Sequence, residues 1–356
     1  MECRRLMGPN LMHEGLGAVL DVVLDDAMPE RNAALVRDWH QRVGVLATAL
    51  GWPDAVTTQR VYAGGASLFV HAPVDQLMTA TDVCEVAWLA AEAGAPAHDD
   101  VAIASLRAFA DAESRPALLA LWTEAQRLGL NVAFDDTVVS IGSGIGSQSW
   151  PIDELPPVDS VDWPALRDVP IVLVTGSNGK TTVVRMVAAM ARAAGHVVGY
   201  TCTDGVWIGD VQVESGDWSG PVGARRVLRD STVTLAILET ARGGILRRGL
   251  AVQRAAVAAI VTLSPDHFGD YGMVDLATLA EAKLVVARAI EETGLLVCNT
   301  EIPELASAVR SYAGRIAPVR MQALNSVLAK AQSSEEVQQQ EEWQRTGGAS
   351  DSRGTS

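Results

Sequence analysis

Cysteine is scarce in this chain, and its spacing carries no motif. Cys3, Cys84, Cys202 and Cys298 stand far apart, with no Cys-x-x-Cys pair. That excludes a disulfide framework and a cysteine-based metal site, and it predicts reduced, mostly buried thiols. No apolar run approaches the roughly 20 residues that span a bilayer. The opening Met-Glu-Cys-Arg-Arg lacks the apolar core of a signal peptide, so the sequence predicts a soluble, cytoplasmic protein. Positive charge is also short: 28 Lys and Arg face 43 Asp and Glu, for a net charge of −15. Such a balance argues against nucleic acid and anionic membranes as partners, and any anion site has to be locally basic. Clusters of Pro and Gly are few, whereas 48% of the residues are apolar, so the chain is globular. Its 356 residues have room for two ordinary domains.

What is present centres on Ile171-Val-Leu-Val-Thr-Gly-Ser-Asn-Gly-Lys-Thr-Thr182. An apolar run of strand character ends in a glycine turn, and the turn opens into a helix pattern. Val184, Val187, Ala188, Met190 and Ala191 recur at helical spacing, and Gly195 stands where a C-terminal cap belongs. A strand–loop–helix of this kind holds a polyphosphate. Free N–H groups and the positive helix end face the anion, and Lys180 adds a full charge. Thr181 occupies the position of a Mg²⁺ ligand in P-loops. The usual spacing needs glycine at 174, which is Val174; the shorter Gly-x-x-Gly-Lys-Thr, with Gly176 and Gly179, stands here. A plain βα turn would explain the glycines but not Lys-Thr-Thr directly after them. Gly176, Ser177, Asn178, Gly179, Lys180, Thr181 and Thr182 are therefore the expected ATP-binding residues.

Before that stretch, residues 17–25 suit a strand, 29–50 a long helix and 66–71 a second strand. Helices are expected at about 75–93 and 100–128, with a strand at 131–140. Gly142-Ser-Gly-Ile-Gly146 resembles a dinucleotide fingerprint, but Ser-Gln-Ser-Trp-Pro follows it instead of a helix, so it reads as a turn. His13, His40, His71 and His98 are isolated in sequence and read as structural or solvated. Residues 1–150 thus form an α+β unit without an active-site constellation. The Pro-rich, acidic stretch 151–169 reads as a linker.

From 170 to 313 strands and helices alternate. Strands are expected at 197–202, 233–239, 256–262 and 295–299, a hairpin at 205–213, and helices at 221–230, 241–248 and 275–292. Repeated βα units imply a mostly parallel sheet with ligands at the carboxyl ends of its strands. Past 313 the pattern fades, and from Gln332 the chain is polar and reads as a disordered tail.

Several ionisable residues fall at strand ends or on the next helix. Glu239 closes a strand, Asp266-His267 follows another, and Lys283 sits in a helix with one apolar side. A carboxylate beside Thr181 would complete an oxygen shell for Mg²⁺. Each has a plainer reading: a helix cap for Glu239, a loop histidine for His267, a solvated lysine for Lys283. Arg242, Arg247 and Arg248 read as surface charge or, in so acidic a chain, as groups facing an anionic ligand.

Thr175-Gly-Ser-Asn-Gly-Lys-Thr-Thr182 resembles the nucleotide loop of the Mur ligases. The closer likeness is to the Mur-ligase-like module of the cyanophycin synthetases. It rests on Thr203-Asp-Gly-Val-Trp-Ile-Gly209, Gly216-Asp-Trp-Ser-Gly-Pro221, Ala224-Arg-Arg-Val-Leu-Arg-Asp230 and the string Leu238-Glu-Thr-Ala-Arg-Gly-Gly-Ile-Leu-Arg-Arg-Gly-Leu250. Arg4-Arg-Leu-Met-Gly-Pro-Asn10 resembles the start of the same enzymes. The resemblance implies an α/β fold, with a P-loop central domain and mostly parallel sheet at 170–313, preceded by a smaller α+β domain. It makes Lys180 the phosphate-binding lysine, Thr181 and Glu239 ligands of a first Mg²⁺, and His267 a ligand of a second. Lys283 matches a position carbamylated in many Mur ligases, and Asn299 matches an adenine-contacting asparagine.

The implied function is an ATP-dependent acid–amino-acid ligase, in which a carboxylate takes the γ-phosphate of ATP and an amine displaces it. Carboxylate and amine substrates, small molecules or peptides, are then the partners; a homo-oligomer remains open. Three departures accompany the likeness. The family's asparagine before Asp-His is Thr262 here, no ATP-grasp domain follows residue 150, and residues 314–356 stand in place of a third Mur domain. On that ground the chain alone is expected to bind Mg·ATP but to turn over poorly. The alternatives are an ATP-binding protein that does not ligate, and a different P-loop ATPase or kinase. Residues 1–150 lack a UDP-binding glycine fingerprint, which argues against a peptidoglycan substrate.

Overall fold

The computed structural model describes residues 1–52, 55–265 and 268–320. The chain begins with β1 (Glu2–Leu6), β2 (Gly17–Val23), α1 (Pro29–Ala49), β3 (Thr57–Tyr62), β4 (Gly65–His71) and α2 (Leu77–Glu92). The four strands make an antiparallel sheet of order β1-β2-β4-β3. Helix α1 buries Val36, Trp39, Val43, Leu46 and Ala47, the three-and-four spacing of one helical face. Strand β4 is buried along nearly its whole length, which explains why its apolar run was legible. The edge strands β1 and β3 were not: Glu-Cys-Arg-Arg-Leu and Thr-Thr-Gln-Arg-Val-Tyr carry too little apolar alternation.

The helix expected over 100–128 is two helices, α3 (Asp100–Glu113) and α4 (Pro116–Leu128). Pro116 disfavours the helical region for Arg115, which lies at φ −131°, ψ 82°, and the chain turns there. Likewise the single strand expected over 131–140 is a hairpin of β5 (Val132–Phe134) and β6 (Val138–Ile141). Asp135 makes the turn: its Oδ1 accepts from the amides of Thr137 and Val138. Strand β7 (Gln148–Pro151) joins this small sheet. The stretch that follows lies against the N-terminal core, into which Val161 and Leu166 are buried.

The second half contains β8 (Ile171–Thr175), α5 (Lys180–Ala193), β9 (Val198–Cys202), β10 (Gly205–Ile208), β11 (Val211–Ser215), α6 (Pro221–Leu228), β12 (Leu235–Glu239), α7 (Arg242–Arg248), β13 (Ala255–Ile260), α8 (Leu276–Leu284), β14 (Ile290–Asn299), α9 (Pro303–Ala308) and β15 (Ile316–Val319). Eight strands form one sheet of order β11-β10-β9-β12-β8-β13-β14-β15. The six from β9 to β15 are parallel, and the β10–β11 hairpin is antiparallel on one edge. The chain is therefore a mixed α/β protein with a large, mostly parallel sheet and two smaller antiparallel ones.

Side chains of the parallel strands alternate between the two faces. Val174 and Ile237 pack with Val184 and Ala188 of α5 on one face. Leu173, Ala236 and Leu238 pack on the other with Ala224, Val227 and Leu228 of α6. Met190, expected on the buried stripe of α5, is 61% exposed. The helix expected over 275–292 stops at Leu284; after a 3₁₀ stretch the chain is already strand at Ile290, paired with Ala255. The sheet also continues past 313, because β15 pairs with β14. The rest of the tail, 321–356, lies outside the described residues. Among the described residues no helix is long and apolar enough to cross a membrane.

Candidate functional site

Parallel pairing brings the carboxyl ends of β12, β8, β13 and β14 to one edge of the sheet. In register, Glu239 on β12 stands opposite Val174 on β8, and Ile260 on β13 opposite Thr175. The loop after β8 leaves at this edge. Gly176 has φ +156°, and a Cβ there would meet the amide nitrogen of Thr262 at 3.0 Å, so only glycine passes. Gly179, at φ +79°, is the N-cap of α5. Lys180 is the first residue of that helix; its Nζ reaches back to the Ser177 carbonyl at 3.4 Å.

Thr181 Oγ1 donates to Glu239 Oε2 at 2.7 Å and lies 3.0 Å from Thr203 Oγ1. Glu239 does not cap a helix: the N-cap of α7 is Ala241, without a side-chain bond. The carboxylate is 1% exposed, and its Oε1 has no hydrogen-bond partner among the described residues. Burial pushes its pKa up, with Asp217 adding to the effect and the Thr181 bond, the Lys180 charge and the Thr203 backbone amide opposing it. A buried carboxylate oxygen without a donor is costly, and a divalent cation supplies what it lacks. A threonine hydroxyl and a carboxylate are hard oxygen donors of the kind Mg²⁺ takes alongside phosphate oxygens. The pair fits the metal, although no group of three or more His, Cys, Asp or Glu able to hold an ion occurs among the described residues.

The loop after β13 braces the phosphate loop. Ser177 N donates to Thr262 O (3.0 Å), Asn178 N donates to Thr262 Oγ1 (2.8 Å), and that hydroxyl donates back to Asn178 O (2.9 Å). Ser177 Oγ donates to Ser264 O at 3.0 Å. Threonine at 262 thus fastens both the N–H and the carbonyl of Asn178.

The other expected residues are placed as follows. Arg242 opens α7, three residues after Glu239, with Nη2 3.8 Å from Asp270 Oδ2. Arg247 and Arg248 are exposed at the far end of α7, and Met7 N donates to the Arg248 carbonyl. Lys283 is no solvated lysine: it lies in α8 at 1% exposure. Asn299 ends β14 at the same sheet edge, and its Oδ1 accepts from Glu301 N. Thr182 is exposed on the first turn of α5. His267, with Asp266, lies outside the described residues. Thr203 and Asp217 lie in strings that carried the resemblance but were given no role there, and Ser264 and Asp270, single polar residues in a loop with no spacing signal, went unnoticed.

Residues 174–346 match the family model of the Mur ligase middle domain. Cyanophycin synthetase of Geminocystis herdmanii is 42% identical over 160 residues, which is 45% of this chain and 18% of that protein. The UDP-N-acetylmuramoylalanine–D-glutamate ligase of Methylococcus capsulatus is 35% identical over 142 residues, 40% of this chain and 26% of that protein. The match therefore spans less than a fifth of that cyanophycin synthetase. Among solved structures, UDP-N-acetylmuramoyl-L-alanyl-D-glutamate–2,6-diaminopimelate ligase aligns with a TM-score of 0.35 at 23% identity, over 42% of this chain and 31% of that one.

Proposed function

We propose, on the premise that residues 174–346 match the Mur ligase middle domain, that this chain binds Mg·ATP and uses it to join a carboxylate to an amine in the cytoplasm. The observation that carries the reading is the Thr181–Glu239 pair, with its orphaned Oε1, at the mouth of a glycine loop that ends in Lys180. The names of the relatives, cyanophycin synthetase and UDP-N-acetylmuramoylalanine–D-glutamate ligase, support amide formation.

The residues divide the work as follows. The amides of Gly176 to Thr182 and the first turn of α5 hold the phosphates, and Lys180 neutralises the β- and γ-oxygens. Thr181 and Glu239 hold Mg²⁺, whose contribution is to offset charge on the transferring phosphoryl group. His267 is assigned to a second metal, Asn299 to the adenine, and Lys283 to the metal side as a carbamylated lysine. Arg242, with Arg247 and Arg248 further along α7, is assigned to the anionic substrate. A carboxylate oxygen attacks the γ-phosphorus and ADP leaves. The amine then attacks the acyl carbon, loses a proton and expels phosphate. Catalysis in this scheme is positioning and charge neutralisation.

The test is ADP release by the purified chain across a panel of amino acids and acidic dipeptides. Release that requires both a carboxylate and an amine, with a matching amide product, supports the proposal. Release that ignores the amine would point to a kinase or ATPase instead, and ATP binding without release to a protein that does not ligate.

A further inference from the structure

The loop after β13 is fastened at both ends. At its start Thr262 and Ser264 grip Ser177 and Asn178 of the phosphate loop. At its far end the fastening comes from the N-terminal sheet. Arg60 on β3 donates to the carbonyls of Tyr271 at 2.8 Å and Gly272 at 3.3 Å. The guanidinium of Arg4 on β1 lies 4.4 Å from the centroid of the Tyr271 ring, a cation–π distance, and its Nε donates to Leu246 O of α7.

Tyr271 is held at φ +53°, the only non-glycine positive φ among the described residues. A bulky side chain keeps that conformation only where its surroundings over-determine it. They do so here. Gly272, at φ +68°, is pressed so closely on the Tyr62 ring that a Cβ would collide with it, and Met273 is fully buried against Leu246 and Ala282. The segment so fixed carries Asp270, whose carboxylate faces Arg242 three residues beyond Glu239.

We infer that Arg60 and Arg4 are positioning residues for the nucleotide site, acting across the unit boundary by setting the path of the Asp270–Met273 segment. This rests on the nucleotide reading above and extends it to the N-terminal sheet. Because Arg60 binds backbone carbonyls, it sets the loop's course whatever side chains the loop bears. The same loop's other end holds Ser177 and Asn178, so slack at Tyr271 reaches the phosphate cradle as well as Arg242.

Calorimetric titration of the full chain with ATP, at several Mg²⁺ concentrations, tests this. Arg60→Ala removes the carbonyl grip. Tyr271→Asn keeps a residue tolerant of the left-handed backbone but removes the ring under Arg4. Gln59→Ala, on the same strand but facing His40 at 2.9 Å, is the control for general damage to β3. Arg60→Ala and Tyr271→Asn are expected to weaken ATP affinity about tenfold and to raise the Mg²⁺ needed for half-saturation. Arg60→Lys recovers part of the loss, and Gln59→Ala leaves both readouts unchanged. Amide exchange at Gly269 and Met273, whose N–H groups bond within this loop, quickens in Arg60→Ala. Affinity and Mg²⁺ dependence like the unmodified chain's in both Arg60→Ala and Tyr271→Asn would overturn the inference, as would equal weakening by Gln59→Ala. Failure of the unmodified chain to bind ATP would overturn the nucleotide reading and this inference with it.

Discussion

Thr181 and Glu239, 58 residues apart in sequence, share a 2.7 Å hydrogen bond at the carboxyl edge of the parallel sheet. The hydroxyl sits on the first turn of α5 and the carboxylate on the last residue of β12, so the bond exists only because β12 lies beside β8. Among the described residues it leaves Oε1 buried without a hydrogen-bond partner, which is the ground on which the pair is proposed as a cation site.

Lys180→Ala should weaken ATP binding by about 1.5–3 kcal/mol, the worth of a charge-assisted contact to phosphate. Its Nζ now rests 3.4 Å from the Ser177 carbonyl, poised at the loop rather than locked in an ion pair. Calorimetry in the presence of Mg²⁺ measures the loss; an affinity equal to that of the unmodified chain removes the phosphate-loop assignment.

Glu239→Gln separates metal binding from folding. Burial raises the folded-state pKa of Glu239 above 4.5, so keeping it ionised costs stability as pH rises through that window. A neutral amide of the same size should therefore leave the metal-free melting temperature at pH 7 unchanged or higher. ATP binding should at the same time lose its response to Mg²⁺. A lower melting temperature with the Mg²⁺ response intact would show a purely structural carboxylate.

Gly176→Ala is expected to destabilise the fold by about 1–3 kcal/mol through backbone strain. The added methyl meets Thr262 N at 3.0 Å and Val261 Cβ at 3.2 Å, both in the stretch just after β13 that braces the loop. Urea unfolding reads the cost, and an unchanged midpoint would show that the loop can move aside freely.

Asp135 links the β5–β6 hairpin to α6, with Oδ2 at 2.7 Å from Arg229 Nη1. Burial raises its pKa, but hydrogen bonds from Thr137 and Arg229 outweigh that and hold the carboxyl well below the usual range. A depressed folded-state pKa stabilises above the ordinary value of 3.8 and loses that contribution as pH falls through the folded value. Asp135→Asn should thus be less stable than the unmodified chain at pH 7, by about 1 kcal/mol for a partly buried pair. The gap should narrow on acidification below pH 4. Denaturant midpoints across pH check it, and a gap independent of pH would exclude the charge as its source.

What the sequence determined by itself is local. Val-Leu-Val-Thr-Gly-Ser-Asn-Gly-Lys-Thr specifies strand, loop and helix within a dozen residues, because apolar run, glycine freedom and helix start are all short-range. The alternation of βα units after 170 likewise announced a mostly parallel sheet. The helix break at Pro116 was equally local, and a proline read as helix-starting rather than helix-interior would have placed it. Tertiary structure alone decided the rest. Strand order is a non-local choice, so nothing near Glu239 announces that its neighbour is β8. Nothing near Thr262 announces that it will fasten Asn178. Lys283 reads as a surface lysine in any helical window, and only the packing of α8 buries it. Arg4, Arg60 and Tyr271 are ordinary residues until two sheets distant in sequence come together and hold a tyrosine where glycine would normally stand. Short-range preferences choose the elements; which loops share an edge is settled by the burial of whole strand faces, and chemistry is assembled there.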